Sequence, residues 1–223
     1  MSIAVAIDGP AGAGKSTIAR AAAACLGFIY VDTGALYRSI GLNALRKGVD
    51  LADSTAIEKS LEGIKVELSF DDNGAQIVLL NGEDVSSLIR TPEVSMSASK
   101  VSAVPAVRAF LLDLQRNMAK TQSVIMDGRD IGTVVLPDAQ VKIFLTASPE
   151  IRAKRRYDEL IEKGQDVKYE DVLADVIERD YNDSHREIAP LKPADDSKLA
   201  DTSGLTLEES IELIINIIKE NTK

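Results

Sequence analysis

Short apolar runs alternate along the chain with longer segments whose apolar residues recur at helical spacing. The runs are continuous and rich in β-branched residues, which is typical of buried strands in a parallel sheet. They cover residues 3–7, 28–31, 123–126, 141–145 and 199–202. Helices are predicted over 54–61, 92–102, 106–120 and 169–186, and others begin after residues 14, 34, 148 and 206. Ser148 is predicted to cap its helix with Pro149 at the first position, and Thr206 is predicted to form a capping box with Glu209. This order of strands and helices predicts an α/β fold, a parallel five-stranded sheet flanked by helices.

One segment breaks this rhythm. Apolar and polar residues alternate from Ile64 to Phe70, a turn sequence covers 71–74, and a second apolar run covers 76–80. Alternation followed by a turn predicts an antiparallel hairpin. We therefore expect a small β-rich insert at about residues 63–81. The helix after it, 92–102, is predicted to lie on the surface because it is small and polar. The apolar face of 106–120 is predicted to contain Val107, Phe110, Leu111 and Leu114.

Composition excludes several classes of protein. The chain has 223 residues and a net charge of −9, which argues against a nucleic-acid or anionic-membrane partner. Its single cysteine, Cys25, allows no intrachain disulfide, and with one histidine, His185, a Cys/His zinc site is excluded. No apolar run approaches the ~18 residues of a membrane span, and residues 1–7 lack the basic start of a signal peptide. We expect a cytoplasmic protein.

The strongest motif follows the first strand. Gly9, Gly14, Lys15 and Ser16 match the P-loop pattern G-x-x-x-x-G-K-[ST], between a predicted strand and a predicted helix. Such a loop points backbone N–H groups at phosphate, Lys15 would reach the β- and γ-phosphates, and the Ser16 hydroxyl would bind Mg²⁺. The candidate ATP-binding residues are Gly9, Pro10, Ala11, Gly12, Ala13, Gly14, Lys15, Ser16 and Thr17.

Two further strands end in polar residues. Asp32-Thr33-Gly34 follows the second strand, and Arg38, one turn into the next helix, could clamp a phosphate. Asp127-Gly128-Arg129-Asp130 follows a later strand and resembles the arrangement in which a carboxylate organises Mg²⁺. Asp127 is therefore the second candidate metal ligand.

Arginines are concentrated in the second half. Arg152, Arg155 and Arg156 share one face of a predicted helix, and this one-signed cluster suggests a polyanionic ligand. The helix 169–186 has a predicted apolar face of Val172, Leu173, Val176 and Ile177, with Arg179, Asp183 and Arg186 in a stripe beside it. Asp180 falls on that apolar face if the helix is regular, so either it finds a partner there or the helix is deformed.

These features leave two broad functions open: a small-molecule phosphotransferase, or a nucleotide switch of the GTPase type. The guanine-reading motif Asn-Lys-x-Asp is absent from the sequence, and the arginines exceed what one triphosphate needs. A second phosphorylated ligand would explain the surplus.

Specific motifs narrow this further. IDGPAGAGKST (7–17), DTGALYR (32–38), VSAVPAVR (101–108), DGRDIGTVV (127–135), VKIFL with the following RAKRR run (141–156) and ERDYNDSHREIAPL (178–191) resemble bacterial cytidylate kinases along nearly the whole chain. The resemblance implies transfer of a phosphoryl group from ATP, with Mg²⁺, to CMP or dCMP by a monomer. A kinase for another nucleoside monophosphate or small metabolite is the alternative.

The resemblance also implies a layout for the site. It divides a single kinase domain, residues 1–223, into a core (1–62, 82–147 and 165–223), the insert and a lid at about 148–164. The catalytic candidates, which would stabilise the transferred group, are Lys15, Arg129, Arg152, Arg156 and Arg186. The implied substrate-binding residues are Thr33, Arg38, Ser99, Arg108, Arg129, Asp130, Arg179, Asp183 and Arg186. Among these, Ser99, Arg108 and Asp130 would read the cytosine, while Arg38, Arg129 and Arg186 would hold the CMP phosphate.

Overall fold

The computed structural model describes residues 2–71 and 76–222. The first part contains β1 (Ala4–Asp8), α1 (Lys15–Leu26), β2 (Ile29–Asp32), α2 (Thr33–Arg46), α3 (Ser54–Ser60), β3 (Val66–Phe70), β4 (Gln76–Leu80) and β5 (Glu83–Asp84). A 3₁₀ turn (Leu88–Arg90), α4 (Pro92–Val101), α5 (Pro105–Thr121), β6 (Val124–Gly128) and a π-helix (Ile131–Val135) follow. The chain ends with β7 (Val141–Thr146), α6 (Pro149–Glu162), α7 (Tyr169–His185), β8 (Lys198–Asp201) and α8 (Leu207–Asn221).

A five-stranded sheet has the order β2-β6-β1-β7-β8. The central strand, β1, pairs in parallel with β6 and β7, which brings Ile7 beside Asp127 and Asp8 beside Gly128. The carboxyl ends of β1 and β6 therefore lie side by side, and each is followed by one of the candidate motifs. The predicted parallel α/β sheet is confirmed.

The chain divides into two compact units. One contains the residues up to Tyr30 and those from Ser123 onward, and the other contains Val31–Gln122. The first has an apolar core between the sheet and helices α1 and α8, in which Ile7, Ile125 and Ile214 are fully buried. The second has a separate core that includes Leu36, Ile40 and Leu111. Its β3, β4 and β5 form a small antiparallel sheet.

Helix ends follow the local sequence. Ser148 caps α6 and is followed by Pro149 at the first helical position, as predicted. Thr206 and Glu209 form the predicted capping box at the start of α8. The predicted hairpin of β3 and β4 is present, but its turn includes residues 72–74, which lie outside the described residues.

Several details differ from the sequence prediction. Helix α4 lies at the surface on one side, where Met96 is 66% exposed, but Val94 and Val101 on its other face are buried in the core of the second unit, which its composition did not predict. Phe110 and Ile177, predicted to face a core, are 38% and 52% exposed. Strand β5 and the π-helix were not predicted, since two residues and five residues are too few for a periodic pattern.

Among residues 2–71 and 76–222, no helix combines the length and apolar character that crossing a membrane requires.

Candidate active site

The loop between β1 and α1 has the backbone geometry of a phosphate cradle. Gly12 and Gly14 adopt φ values of 74° and 86°, in the left-handed region that favours glycine. Gly9, at φ 151°, lies so close to β7 that a Cβ atom there would be 1.9 Å from the Leu145 carbonyl oxygen. Helix α1 begins at Lys15 with no side-chain cap, so its N–H groups are not satisfied by a cap of their own.

Lys15 is buried in this loop, with 6% of its surface exposed, and its Nζ donates to the Pro10 carbonyl oxygen at 2.7 Å. Burial, and then the positive charge of Arg129, lower the pKa of Lys15 well below its ordinary value. The carboxylates of Asp127, Asp8 and Asp183 act in the opposite direction. The positive charge of Arg129 thus acts on buried Lys15, and an added anion would stabilise the charged form of Lys15.

Asp127 lies at the end of β6, where it is 4% exposed. Its two oxygens have different partners: Ser16 Oγ donates to Oδ2 at 2.8 Å, and Tyr30 Oη donates to Oδ1 at 3.0 Å. A hydroxyl and a carboxylate oxygen fit Mg²⁺, a hard cation that is usually bound through one or two carboxylates together with substrate phosphates. In keeping with so few protein ligands, no cluster of three or more His, Cys, Asp or Glu that could hold a metal occurs in the described part of the chain.

Asp8 was not singled out from the sequence, yet it connects the two strand ends. Its carboxylate accepts hydrogen bonds from the backbone N–H groups of Ile131 and Gly132, both at 2.7 Å. These are the first two residues of the π-helix, directly after Arg129 and Asp130. Burial raises the pKa of Asp8 to about 6, in spite of these two hydrogen bonds. An acidic residue at the end of an apolar strand was the only signal in the sequence.

Five of the substrate-binding candidates lie in the first unit, and four of them form two pairs. Arg129 Nε donates to Asp183 Oδ2 at 2.8 Å, and Arg186 Nη2 is 3.9 Å from Asp130 Oδ1. Asp130 and Asp183 are 4% and 7% exposed. Burial alone would raise the pKa of Asp183, but the charges of Arg129, Arg179 and Arg186 and the Arg129 hydrogen bond lower it overall. The structure therefore groups the arginines around buried carboxylates.

The second unit holds the other candidates. Arg38 Nη2 donates to Asp32 Oδ2 at 2.7 Å, while Asp32 Oδ1 caps α2 by accepting from Ala35 N. Thr33, which follows Asp32 in the sequence, is also buried. Arg108 is also buried, lies over the Tyr37 ring at 5.7 Å and donates to the Ser102 carbonyl oxygen. Ser99, one turn of α4 earlier, is half-buried.

The three arginines of α6 have three different environments. Arg152 is 2% exposed and donates to the carbonyl oxygens of Ala147 and Ala11 and, with both terminal nitrogens, to Asp180. Arg155 donates to the Thr202 carbonyl oxygen at 3.2 Å, and exposed Arg156 pairs with Glu159 at 3.1 Å. The expectation that Asp180 finds a partner is confirmed. The arginines of α6 do not form a purely positive surface, however, because Asp180 of α7 pairs with Arg152 and Glu159 of α6 itself pairs with Arg156.

A P-loop after the central strand of a parallel sheet, with a buried carboxylate at the end of the adjacent strand, defines a P-loop nucleotide-binding protein. A sequence model of cytidylate kinases matches residues 5–220. The chain belongs to the cytidylate kinase family.

Individual relatives agree with this assignment. The chain is 51% identical to the cytidylate kinase of Carboxydothermus hydrogenoformans over 214 residues, which cover 96% of each chain. It is 50% identical to that of Caldanaerobacter subterraneus over 223 residues, covering 100% of this chain and 97% of the relative. Among solved structures, an uncharacterised protein from Eubacterium ventriosum aligns with a TM-score of 0.53 at 12% identity, covering 98% of this chain and 99% of its own. That likeness concerns the fold alone.

Proposed function

We propose that this chain transfers the γ-phosphoryl group of ATP to CMP or dCMP, giving ADP and CDP or dCDP. Family membership, shared with relatives named cytidylate kinase at about 50% identity, supports the reaction class and the substrates. The structural observation that carries the proposal is the pairing of β1 with β6, which brings Asp8, the residue before the P-loop of Lys15, beside Gly128, the residue before Arg129. Lys15 and Arg129 each belong to a different predicted phosphate site, and a phosphoryl group passing between donor and acceptor would be stabilised by both.

The reaction needs no general base from the protein. A phosphate monoester has a second pKa of about 6, so the acceptor is already an anionic nucleophile at pH 7. The single histidine is consistent with this, because His185 is exposed and stacks on Tyr181 at 4.0 Å. Catalysis would then consist of positioning and charge stabilisation.

The residues of the first unit suggest a division of roles. Lys15 and the N–H groups of the loop 9–17 would bind the β- and γ-phosphates, and Arg129 and Arg186 would bind the phosphate of CMP. Ser16 and Asp127 would hold Mg²⁺, which supplies charge neutralisation on the ATP phosphates. The carboxylate of Asp183 holds Arg129 in place through the 2.8 Å hydrogen bond and would reach the sugar. By the family motifs, Arg38, Arg108 and Ser99 would also bind CMP.

The lid remains part of the proposal. Helices α6 and α7 pack together through a small apolar cluster that includes Ala153, Leu160 and Val172. In the structure Arg152 is fully engaged by Asp180 and two backbone carbonyls, so a role for Arg152 toward phosphate would require an exchange of partners. Within the described residues, Arg156 pairs with exposed Glu159 of its own helix and could reach a phosphate with less rearrangement.

A coupled assay of ADP release tests the function. We expect turnover with CMP and dCMP, and kcat/KM lower for UMP, AMP, GMP and shikimate. Lys15→Met, which keeps the apolar stem but removes the charge, should retain less than about a tenth of wild-type turnover, because one lost transition-state contact costs several kcal/mol. Equal rates on all acceptors, or an active Lys15→Met variant, would refute the proposal.

Asp130 is the residue that we expect to choose the base. An ionised carboxylate only accepts hydrogen bonds, so it favours the 4-amino group of cytosine over the 4-oxo group of uracil. Asp130→Asn should reduce the ratio of kcat/KM for CMP to that for UMP, which can reach ~10⁴ for a site with buried polar groups. If the variant lost activity equally on both substrates, Asp130 would have a structural or phosphate-side role instead.

A further inference from the structure

Tyr30 has no part in the roles described above, although it contacts the candidate metal ligand directly. It lies in β2, the neighbour of β6 in the sheet, and its hydroxyl donates to Asp127 Oδ1 at 3.0 Å. Ser16 donates to the other oxygen, Oδ2, at 2.8 Å. The two oxygens of Asp127 therefore have different partners: Oδ2 contacts the Ser16 hydroxyl, and Oδ1 contacts the phenol.

Two contacts help to position the Tyr30 phenol. Its strand is fixed to the start of β6 by the hydrogen bond from Ile29 N to the Ser123 carbonyl oxygen at 2.9 Å. From the other side, the Arg20 guanidinium of α1 lies over the ring at 5.2 Å from its centre. A cation at that distance stabilises the ring in place. Helix α1 also carries Ser16, so the same helix fixes both partners of Asp127.

A carboxylate rotates easily about its last torsion, and either oxygen could then face the metal position. A hydrogen bond to one oxygen selects one orientation, and partners of this kind commonly orient the carboxylates that bind metals. Tyrosine is well suited here because its hydroxyl sits at the end of a stiff ring with few rotatable bonds.

We propose that Tyr30 is a positioning residue, which holds Asp127 so that Oδ2 is directed to Ser16 and to the Mg²⁺ of the nucleotide. This inference rests on the proposed function, since it concerns the metal that ATP brings. It gives β2 a role in metal binding, although β2 is not part of the P-loop motif. It also predicts that the metal affinity of the nucleotide complex depends on one phenolic oxygen.

Tyr30→Phe removes that oxygen and keeps the ring under Arg20. We expect the dissociation constant of Mn²⁺, measured by electron paramagnetic resonance in the presence of a non-hydrolysable ATP analogue, to rise about tenfold, as is typical when a hydrogen-bond partner of a metal ligand is lost. The apparent KM for Mg²⁺ should rise similarly, while the KM for CMP at saturating Mg²⁺ stays unchanged. High Mg²⁺ should restore turnover, which a structural defect would not allow.

Tyr181→Phe is the control, because this tyrosine is 61% exposed and its ring stacks on His185. It should bind Mn²⁺ like the wild type. A double-mutant cycle completes the test: in an Asp127→Asn background, Tyr30→Phe should add little, since the residues act through one another.

The outcomes separate this inference from the proposed function. Wild-type Mn²⁺ affinity in a folded Tyr30→Phe variant would overturn the role of Tyr30 and leave the kinase function intact. A wild type without CMP kinase activity would refute the proposed function, while the Mn²⁺ measurement with the ATP analogue would still test Tyr30. A loss of activity that added Mg²⁺ does not restore would also overturn the positioning role.

Discussion

Asp8, Lys15 and Asp127 are ionisable side chains with less than a tenth of their surface exposed. Each is at the end of a strand or the start of a helix, where backbone groups and opposite charges offset part of the cost of burial. Asp8 receives two backbone N–H groups, Lys15 donates to a carbonyl oxygen, and Asp127 accepts from two hydroxyls. Burying these three charged groups therefore has a cost that their partners offset only in part.

From the raised pKa of Asp8 we predict how the free energy of unfolding depends on pH. With a folded pKa of about 6 against an ordinary value of 3.8, the folded protein binds the proton more tightly than the unfolded chain. The contribution of Asp8 to the free energy of unfolding is therefore fully present below pH 4 and is lost as the pH rises to about 6. The loss is on the order of 3 kcal/mol, from 1.36 kcal/mol for each pKa unit.

Asp8→Asn isolates this effect, because the amide does not titrate. Urea unfolding of both proteins at pH 4, 5, 6 and 7 should show wild-type stability falling relative to the variant as the pH increases. A difference that is constant across this range would mean that the pKa of Asp8 is the same in both states. A difference that changes in the other direction would mean that the pKa is lowered by folding.

At the scale of elements, close packing of helices has more influence on the second unit than helix propensity. Gly41 of α2 faces α4, where a Cβ atom would be 2.9 Å from Ala98 N and 3.1 Å from Ser97 Cβ. One of these contacts is with backbone, which does not move aside easily. This close approach explains why α4 is buried on one face although its composition is typical of a surface helix.

The sign of the stability change caused by Gly41→Ala shows whether helix packing or helix propensity dominates. Helix propensity alone predicts a gain of roughly 0.5–1 kcal/mol. Overpacking predicts a loss of about 1–3 kcal/mol, which we expect to dominate in urea unfolding. Gly204→Ala is the control, because a Cβ there meets no heavy atom within 4 Å. A stabilised Gly41→Ala variant would show that α2 and α4 can separate at little cost.

At the scale of the whole molecule, the proposed substrates should stabilise the folded chain in proportion to their binding. At a concentration of one hundred times its dissociation constant, a ligand adds about 2.7 kcal/mol to the free energy of unfolding. For a chain of this size, that corresponds to a rise in Tm of about 5–10 °C. Stability is therefore a measure of specificity that does not depend on turnover.

We expect thermal unfolding to shift upward with ATP and Mg²⁺ together, and with CMP or dCMP. UMP and shikimate at the same concentration should cause a much smaller shift. If UMP raised Tm as much as CMP, the protein would not discriminate the base in binding, and any preference would have to arise during phosphoryl transfer. That result would contradict the role assigned to Asp130.

The sequence by itself determined the features that depend on neighbouring residues. Strands, the P-loop, the Ser148 cap and the Thr206 capping box follow from backbone preferences and hydrophobic periodicity within a few residues. The need of Asp180 for a partner also followed, because its position on an apolar helix face is a local property. The family motifs extended this to the substrate, and the roles of the individual site residues stay predictions.

Tertiary structure alone decided which groups meet across long separations. Arg152 and Asp180 are 28 residues apart, and Asp8 and Gly132 are 124 apart. Many acids could pair with each arginine, and the choice depends on which strands are neighbours and which helices pack together. Tyr30 became a partner of Asp127 because β2 lies beside β6, and Phe110 became exposed because α5 turns Gln115 inward instead. Local patterns contain no information about such distances, which are set only when the sheet and its helices have assembled.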